Sequence, residues 1–374
     1  MESSGTPSWL EAFPVNPGQP RNDSRYHFDQ ESTLRIAIAT VQIPFLSGGA
    51  EALTDGLRNA LLHAGHVADI VSMPFRFFPE PQIVRAIRVW ESEDFTALNL
   101  YEPDLVICLK FPAFYLAHPL KRAWILHQFR DAYDLYDPSG KQALSEETRL
   151  LIKQCDTAHL SQCQHRFALS LTVANRLRHF NGLIAKPLYH PPPAAERFYS
   201  APPQPYVFAP SRLESLKRQD LLIESMRYVK APVWAIIAGM GGQYGCLNEM
   251  VHHYDLGQRV RLIGQLSPEE LRAFYANCLA VFFGPKDEDY GYVTLESMLA
   301  AKPVITCHDS GGPLEFITHE VNGLVVAPEP QAIADAIDRL AAHRNRSIEL
   351  GRNGQAQYQA MALSWDHVVS TLIN

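Results

Sequence analysis

Between Lys186 and Pro205 the chain reads KPLYHPPPAAERFYSAPPQP, a stretch with seven prolines. Proline lacks a backbone N–H and fixes φ, so such a run fits neither a helix interior nor a central strand. It divides the chain into two segments, each with its own apolar pattern. In both, short apolar runs rich in β-branched residues alternate with stretches of helical periodicity. That alternation predicts parallel sheets covered by helices.

Before the prolines, LRIAIATV from Leu34 predicts a buried strand, followed by a loop with Gly48 and Gly49. Leu53, Leu57, Ala60 and Leu61 then recur at helical spacing, and Gly65 is a stop. VADIVSM, DLVICL and RAWILH are further strands. After the prolines come YVFAPSRL, a helix at LLIESMRYV, the strand VWAIIAG ending on Gly239, and RVRLIG. Ser267 and Pro268 have the residue types of an N-cap and a first helical position. LAVFFGP, a helix near VTLESMLAA, PVITC and NGLVVAP continue the alternation, and a last helix runs from about Ser364.

The fold class expected is therefore α/β, with two doubly wound parallel-sheet (Rossmann-like) domains facing a cleft. The domains are expected at 34–186 and 206–363, joined by the linker 187–205. A polar arm (1–33) precedes them, and a terminal helix (364–374) is expected to pack back on the first. Ligands of such folds bind beyond the carboxyl ends of the strands.

Composition excludes some functions. With 33 Lys and Arg against 40 Asp and Glu, the net charge is −7, which does not suit coating nucleic acid. No stretch reaches the 18 or so apolar residues of a membrane span, and the N-terminus lacks the charge and apolar order of a signal peptide. The six cysteines form no C-x-x-C pair, so reduced thiols and a cytoplasmic location are expected.

The richest segment is KDEDYGYVTLESMLAAKPVITCHDSGGPLE. It follows a buried strand, so Glu288 lies in a loop at a carboxyl end, and Gly291 opens a helix whose N–H groups can face an anion. Glu296 follows inside that helix, placed to share a pocket with Glu288. Arg212 and Lys217 emerge after YVFAP, also at a carboxyl end. Two cations suit a diphosphate, and two carboxylates suit sugar hydroxyls, which donate to acceptor-only groups.

These residues resemble the retaining glycosyltransferases of family 4, which have the GT-B fold. EDYGYVTLE, from Glu288 to Glu296, is similar to their E-x7-E signature, with Asp289 in place of a glycine and Tyr290 in place of a phenylalanine. SRLESLKRQDLLIE resembles their Arg-x4-Lys segment, SGGAEALTDGLRNALLHAGH their first glycine loop and helix, and NGLVVAPEPQAIADAI their late strand and helix.

The resemblance implies a hexosyltransferase with a UDP-, GDP- or other nucleoside diphosphate sugar as donor, and with no cofactor or metal. It implies that Arg212 and Lys217 bind the diphosphate, Glu296 the ribose and Glu288 the donor sugar. Tyr290, Gly291, Gly48, Gly49 and Gly239 join the donor site, and His127, at the end of RAWILH, faces the sugar. Arg130, Tyr133 and Asp134, in the loop RDAYDLYD, are the acceptor candidates for a saccharide, a lipid-linked glycan or a small molecule.

Other readings are a nucleotide-sugar epimerase of the same fold and an inactive nucleotide-sugar binder. Asp287 to Asp289 also matches a D-x-D metal motif, but lies where a GT-B donor loop belongs. Met73 to Trp90 mixes aromatic and basic residues. Ile83, Ile87 and Trp90 form a stripe expected to pack into the first domain, with peripheral membrane contact as the alternative.

Overall fold

The computed structural model describes residues 33–45, 48–96, 98, 101–140 and 144–374. The arm up to Ser32 lies outside the described residues.

Six strands form the first sheet: β1 (Arg35–Gln42), β2 (Val67–Pro74), β3 (Leu105–Cys108), β4 (Lys121–Ile125), β5 (His165–Ala168) and β6 (Lys186–Pro187). Their order is β2-β1-β3-β4-β5-β6, and all pairs are parallel. β6 uses the first proline of the rich stretch, which an edge position tolerates.

The second sheet contains β7 (Tyr206–Pro210), β8 (Trp234–Ala238), β9 (Val260–Leu262), β10 (Ala280–Phe282), β11 (Val304–Cys307) and β12 (Gly323–Val326). Its order, β12-β11-β10-β7-β8-β9, is again wholly parallel. β3, β10 and β11 are buried along their length. Their Val, Ile, Phe and Cys side chains enter cores on both faces, as parallel strands under helices require.

Helices α1 (Gly49–His63), α2 (Glu80–Ser92), α3 (Glu146–Ser161) and α4 (Leu171–Asn181) flank the first sheet. α1 buries Leu53, Leu57 and Leu61 along one face. α2 buries Ile83, Ile87 and Trp90, so the aromatic-basic stripe is a packing stripe. Only Phe77 and Phe78, just before α2, stay exposed among that segment's phenylalanines.

Around the second sheet lie α5 (Gln219–Ser225), α6 (Tyr244–His253), α7 (Pro268–Asn277), α8 (Tyr292–Leu299), α9 (Pro330–Ala342) and α10 (Arg344–Met361). α7 starts with a capping box, in which Ser267 and Glu270 satisfy one another's backbone N–H groups. α5 is shorter than its apolar pattern predicts and ends at Ser225. α10 has little apolar periodicity to announce it.

The chain then returns to the first half. Ser364 caps α11 (Trp365–Ile373), its side chain accepting from the His367 N–H. α11 buries Val368, Val369 and Leu372 in the first core. A Cβ on Gly56 of α1 would lie 2.4 Å from Trp365 Cζ2, so that glycine lets the two helices approach.

Candidate active site

The loops at the carboxyl ends of β7, β10 and β11 are tied together by backbone. Asp287 N–H donates to Asp309 O (2.8 Å), Glu288 N–H to Ser310 O (2.9 Å), and Gly312 N–H to Glu288 O (2.8 Å). A Cβ on Gly311, at φ +70°, would stand 2.7 Å from Glu288 O. The two glycines after Ser310 thus permit the close approach that fixes Glu288.

Arg218 fastens the same loops by side chain. Its guanidinium donates to Gly284 O (2.7 Å), Pro285 O (2.6 Å) and the Asp309 carboxylate (2.6 and 2.9 Å). These bonds, and then the Arg218 charge, hold the Asp309 carboxyl below its ordinary range. Arg218 is not among the residues expected at the site; its place beside Lys217 is the one signal the sequence carries for it. Lys217 is ion-paired with Glu288, and both side chains are mostly buried. Lys217 Nζ also lies 5.8 Å from the centre of the Phe283 ring.

A cleft of about 640 Å³ lies between these loops and the first sheet. Gly48, Gly49, His127 and Arg130 line it from the first half, and Arg212, Lys217, Glu288, Tyr290 and Gly291 from the second. Arg212 reaches toward the first glycine loop: its Nε is 3.9 Å from where a Cβ on Gly48 would stand. His127 Nδ1 lies 2.8 Å from Gln128 O, which suits an Nδ1–H tautomer with Nε2 as the acceptor nitrogen. Tyr290, though it lines the cleft, is 4% exposed, and its hydroxyl donates to His190 O (2.5 Å).

Four expected residues lie elsewhere. Glu296 is not in the lining; it accepts a hydrogen bond from Tyr275 of α7 (2.6 Å), because its turn of α8 faces that helix. Burial raises its carboxyl pKa, partly offset by the Tyr275 bond. Gly239, at φ +134°, packs on the loop after β7, where a Cβ would stand 1.9 Å from Ser211 O. Its part is to let two backbones pass. Tyr133 is buried and donates to Asp156 (2.6 Å), so it cannot meet an acceptor. Asp134 accepts from Arg130 (2.5 and 2.9 Å) and is absent from the lining. The carboxylate of this loop that does line the cleft is Asp131.

Asp287 and Asp289 are neutralised from the first half. Arg130 lies 3.2 Å from Asp287 and 3.8 Å from Asp289, and Arg176 of α4 is ion-paired with both. Burial opposes the Asp289 charge, but Arg176, then His127 and Arg130, outweigh it and hold its carboxyl below the ordinary range. With its aspartates so paired, the D-x-D segment presents no pair of free carboxylates to a cation. Among the described residues no group of three or more His, Cys, Asp or Glu side chains could hold a metal.

Two parallel Rossmann-like sheets about a cleft constitute the GT-B fold. Sucrose-phosphate synthase from Thermosynechococcus elongatus superposes with a TM-score of 0.73 at 20% identity, over 91% of this chain and 97% of that one. Anabaena HepE in complex with UDP-glucose gives 0.68 at 17% identity, over 91% and 98%.

In sequence, residues 195–357 match the family Glycosyl transferases group 1. Human alpha-1,3/1,6-mannosyltransferase ALG2 is 34% identical over 114 residues, which are 30% of this chain and 27% of that protein. The GDP-mannose-dependent alpha-(1-6)-phosphatidylinositol monomannoside mannosyltransferase of Mycobacterium tuberculosis is 27% identical over 227 residues, 57% of this chain and 58% of the relative. The matches thus span about a quarter of the one relative and somewhat over half of the other. No helix among the described residues is long and apolar enough to cross a membrane.

Proposed function

We propose that the protein is a retaining, metal-independent glycosyltransferase of family 4. It moves a hexose-type sugar from a nucleoside diphosphate sugar to a hydroxyl acceptor. The observation that carries this is the convergence of Arg212, Lys217 and Glu288 on one cleft wall, opposite His127 and the Gly48–Gly49 loop.

In this reading the second half, 206–363, is the donor domain and the first, 34–186, the acceptor domain. Arg212 and Lys217 stabilise the diphosphate as it departs, aided by the N-termini of α1 and α8. Glu288 accepts hydrogen bonds from donor sugar hydroxyls, and His127 faces the sugar from the other wall. The bond from the anomeric carbon to phosphate oxygen breaks as the acceptor oxygen attacks from the same face. The departing phosphate takes the acceptor proton. The acceptor enters past Asp131, and exposed Phe77 and Phe78 with Arg76 offer a surface for an apolar acceptor tail or for peripheral membrane contact. GDP-mannose is the first donor to try, since a relative's name specifies it.

A thermal-shift screen with UDP, GDP, ADP and dTDP sugars tests donor binding, because a ligand that binds only the folded state raises Tm. One donor class is expected to stabilise, and to be turned over with a hydroxyl acceptor. Stabilisation by none of them overturns the proposal. Conversion of a free donor to its epimer without acceptor replaces transferase with epimerase.

A further inference from the structure

Arg176 lies on α4, in the first half, and is absent from the cleft lining. Its side chain is only 8% exposed. One Nη is ion-paired with the Asp289 carboxylate, the other donates to the Asp287 carbonyl (2.9 Å), and Nε lies 3.3 Å from the Asp287 carboxylate. The guanidinium therefore grips the residues on both sides of Glu288.

The start of α4 is docked onto the second half as well. Ser170 Oγ donates to the Asp289 carbonyl (2.5 Å). Glu315 accepts from the N–H groups of Leu171 (2.9 Å) and Thr172 (2.7 Å) and from Thr172 Oγ1 (2.6 Å). One helix of the first half thus meets the Glu288 loop at two points about a turn and a half apart. A buried guanidinium is costly unless its counter-charges are in place. One counter-charge, Asp134 (3.9 Å), is in its own half, but the carboxylates and the carbonyl that lie closest to the guanidinium belong to the other, so Arg176 is fully satisfied only when the two halves are docked. In the pattern this segment resembles, position 289 is a glycine; here the carboxylate is present, and Arg176 is its partner.

We propose that Arg176 is a positioning residue: by holding Asp289 and the Asp287 carbonyl, it fixes Glu288 against the donor when the two halves close. This rests on the assignment of Glu288 to the donor sugar. The alternative is an ion pair that merely adds stability. The two differ in what happens when both charges are removed together.

The test is donor turnover by wild type, Arg176→Met and Arg176→Met/Asp289→Asn, using GDP-mannose and UDP-glucose, with Tm and the Kd of GDP and UDP alone. Arg176→Met leaves Asp289 short of a counter-charge and lowers Tm. The double variant removes both charges, so it keeps the experiment decisive even where the single variant does not fold. Expected for the double variant is a Tm near wild type, a Kd for the nucleotide alone within about threefold, and kcat lower by at least about tenfold, the pattern of a misplaced group rather than a lost binding contact. A kcat for the double variant within about twofold of wild type overturns the positioning role. Wild type that is stabilised by no UDP, GDP, ADP or dTDP sugar overturns the glycosyltransferase assignment itself, and this inference with it.

Discussion

Lys217 and Glu288, 71 residues apart in the chain, form an ion pair on the cleft wall. The side chains assigned to phosphate and to sugar therefore hold one another, and neither acts alone. Lys217→Ala and Glu288→Ala are each expected to lower kcat by about 10²–10³-fold, the usual loss for one transition-state contact. Because the two act as a unit, the double variant should lose much less than the product of the single losses. Transfer kinetics of the three variants check this. Fully multiplicative losses, or wild-type turnover in either single variant, rule it out.

Gly239 gives a prediction about stability with a local control. Its Cβ would collide with the Ser211 carbonyl, and its φ is one that other residues rarely adopt. Gly239→Ala should cost about 2 kcal/mol or more and displace Arg212, the neighbour of the residue it would strike. A Cβ on Gly242 would meet nothing within 4 Å, so Gly242→Ala should stay within about 0.5 kcal/mol. Thermal unfolding and donor affinity of the two variants should separate accordingly; equal Tm values would show that the backbone crossing relaxes freely.

Much of this molecule is legible along the chain, because its signals are local. Buried parallel strands are continuous apolar runs, and Ser267-Pro268 states where a helix starts. The E-x7-E and Arg-x4-Lys spacings keep Glu288, Arg212 and Lys217 at adjacent carboxyl ends, and the sheet order brings them to one wall. What is not legible is which way a polar side chain turns. Tyr133 and Asp134 sit in an acidic aromatic loop that suits an acceptor, yet one turns inward to Asp156 and the other to Arg130. Arg176 and Arg218 act through partners over sixty residues away, and no local pattern marks them.

Glu296 offers a test by pH. If it binds a ribose, the ionised carboxylate accepts on both oxygens more strongly than the protonated acid does on one, and burial raises its carboxyl pKa. Donor affinity should therefore fall with acid starting above the ordinary carboxylate range. Tyr275→Phe removes the hydrogen bond that partly opposes the rise, so its acid limb should move to still higher pH. Glu296→Gln should weaken binding and abolish that limb. Titrating the Kd of the intact nucleotide sugar, whose diphosphate diester stays fully ionised, from neutrality into acid for wild type and Glu296→Gln decides: coincident profiles would leave Glu296 outside the donor site, held by Tyr275 alone.

Asp156 and His190 carry opposite pH dependences of stability through one window. Asp156 is fully buried between the hydroxyls of Tyr115 and Tyr133, and burial, against those two bonds, pushes its pKa to about 7. A carboxyl with a raised folded pKa stabilises below its unfolded value, and that contribution is lost as pH rises through the folded value. The loss runs from about pH 4 to 7 and amounts to on the order of 4 kcal/mol as an upper bound. His190 is also fully buried, and burial lowers its pKa to about 3. The unfolded chain binds its proton below about pH 6.5, so this group makes the fold more stable as pH rises across nearly the same range. The wild-type profile sums the two, and single variants separate them. Asparagine resembles the protonated acid, so the Tm of Asp156→Asn minus that of wild type should grow more positive from about pH 5 to 8. For His190→Gln the difference should instead be most positive at acid pH and decline toward neutrality. An Asp156→Asn difference that does not change with pH would mean that Asp156 is ionised in the fold throughout, with its two tyrosines supplying enough hydrogen bonding to hold a buried charge.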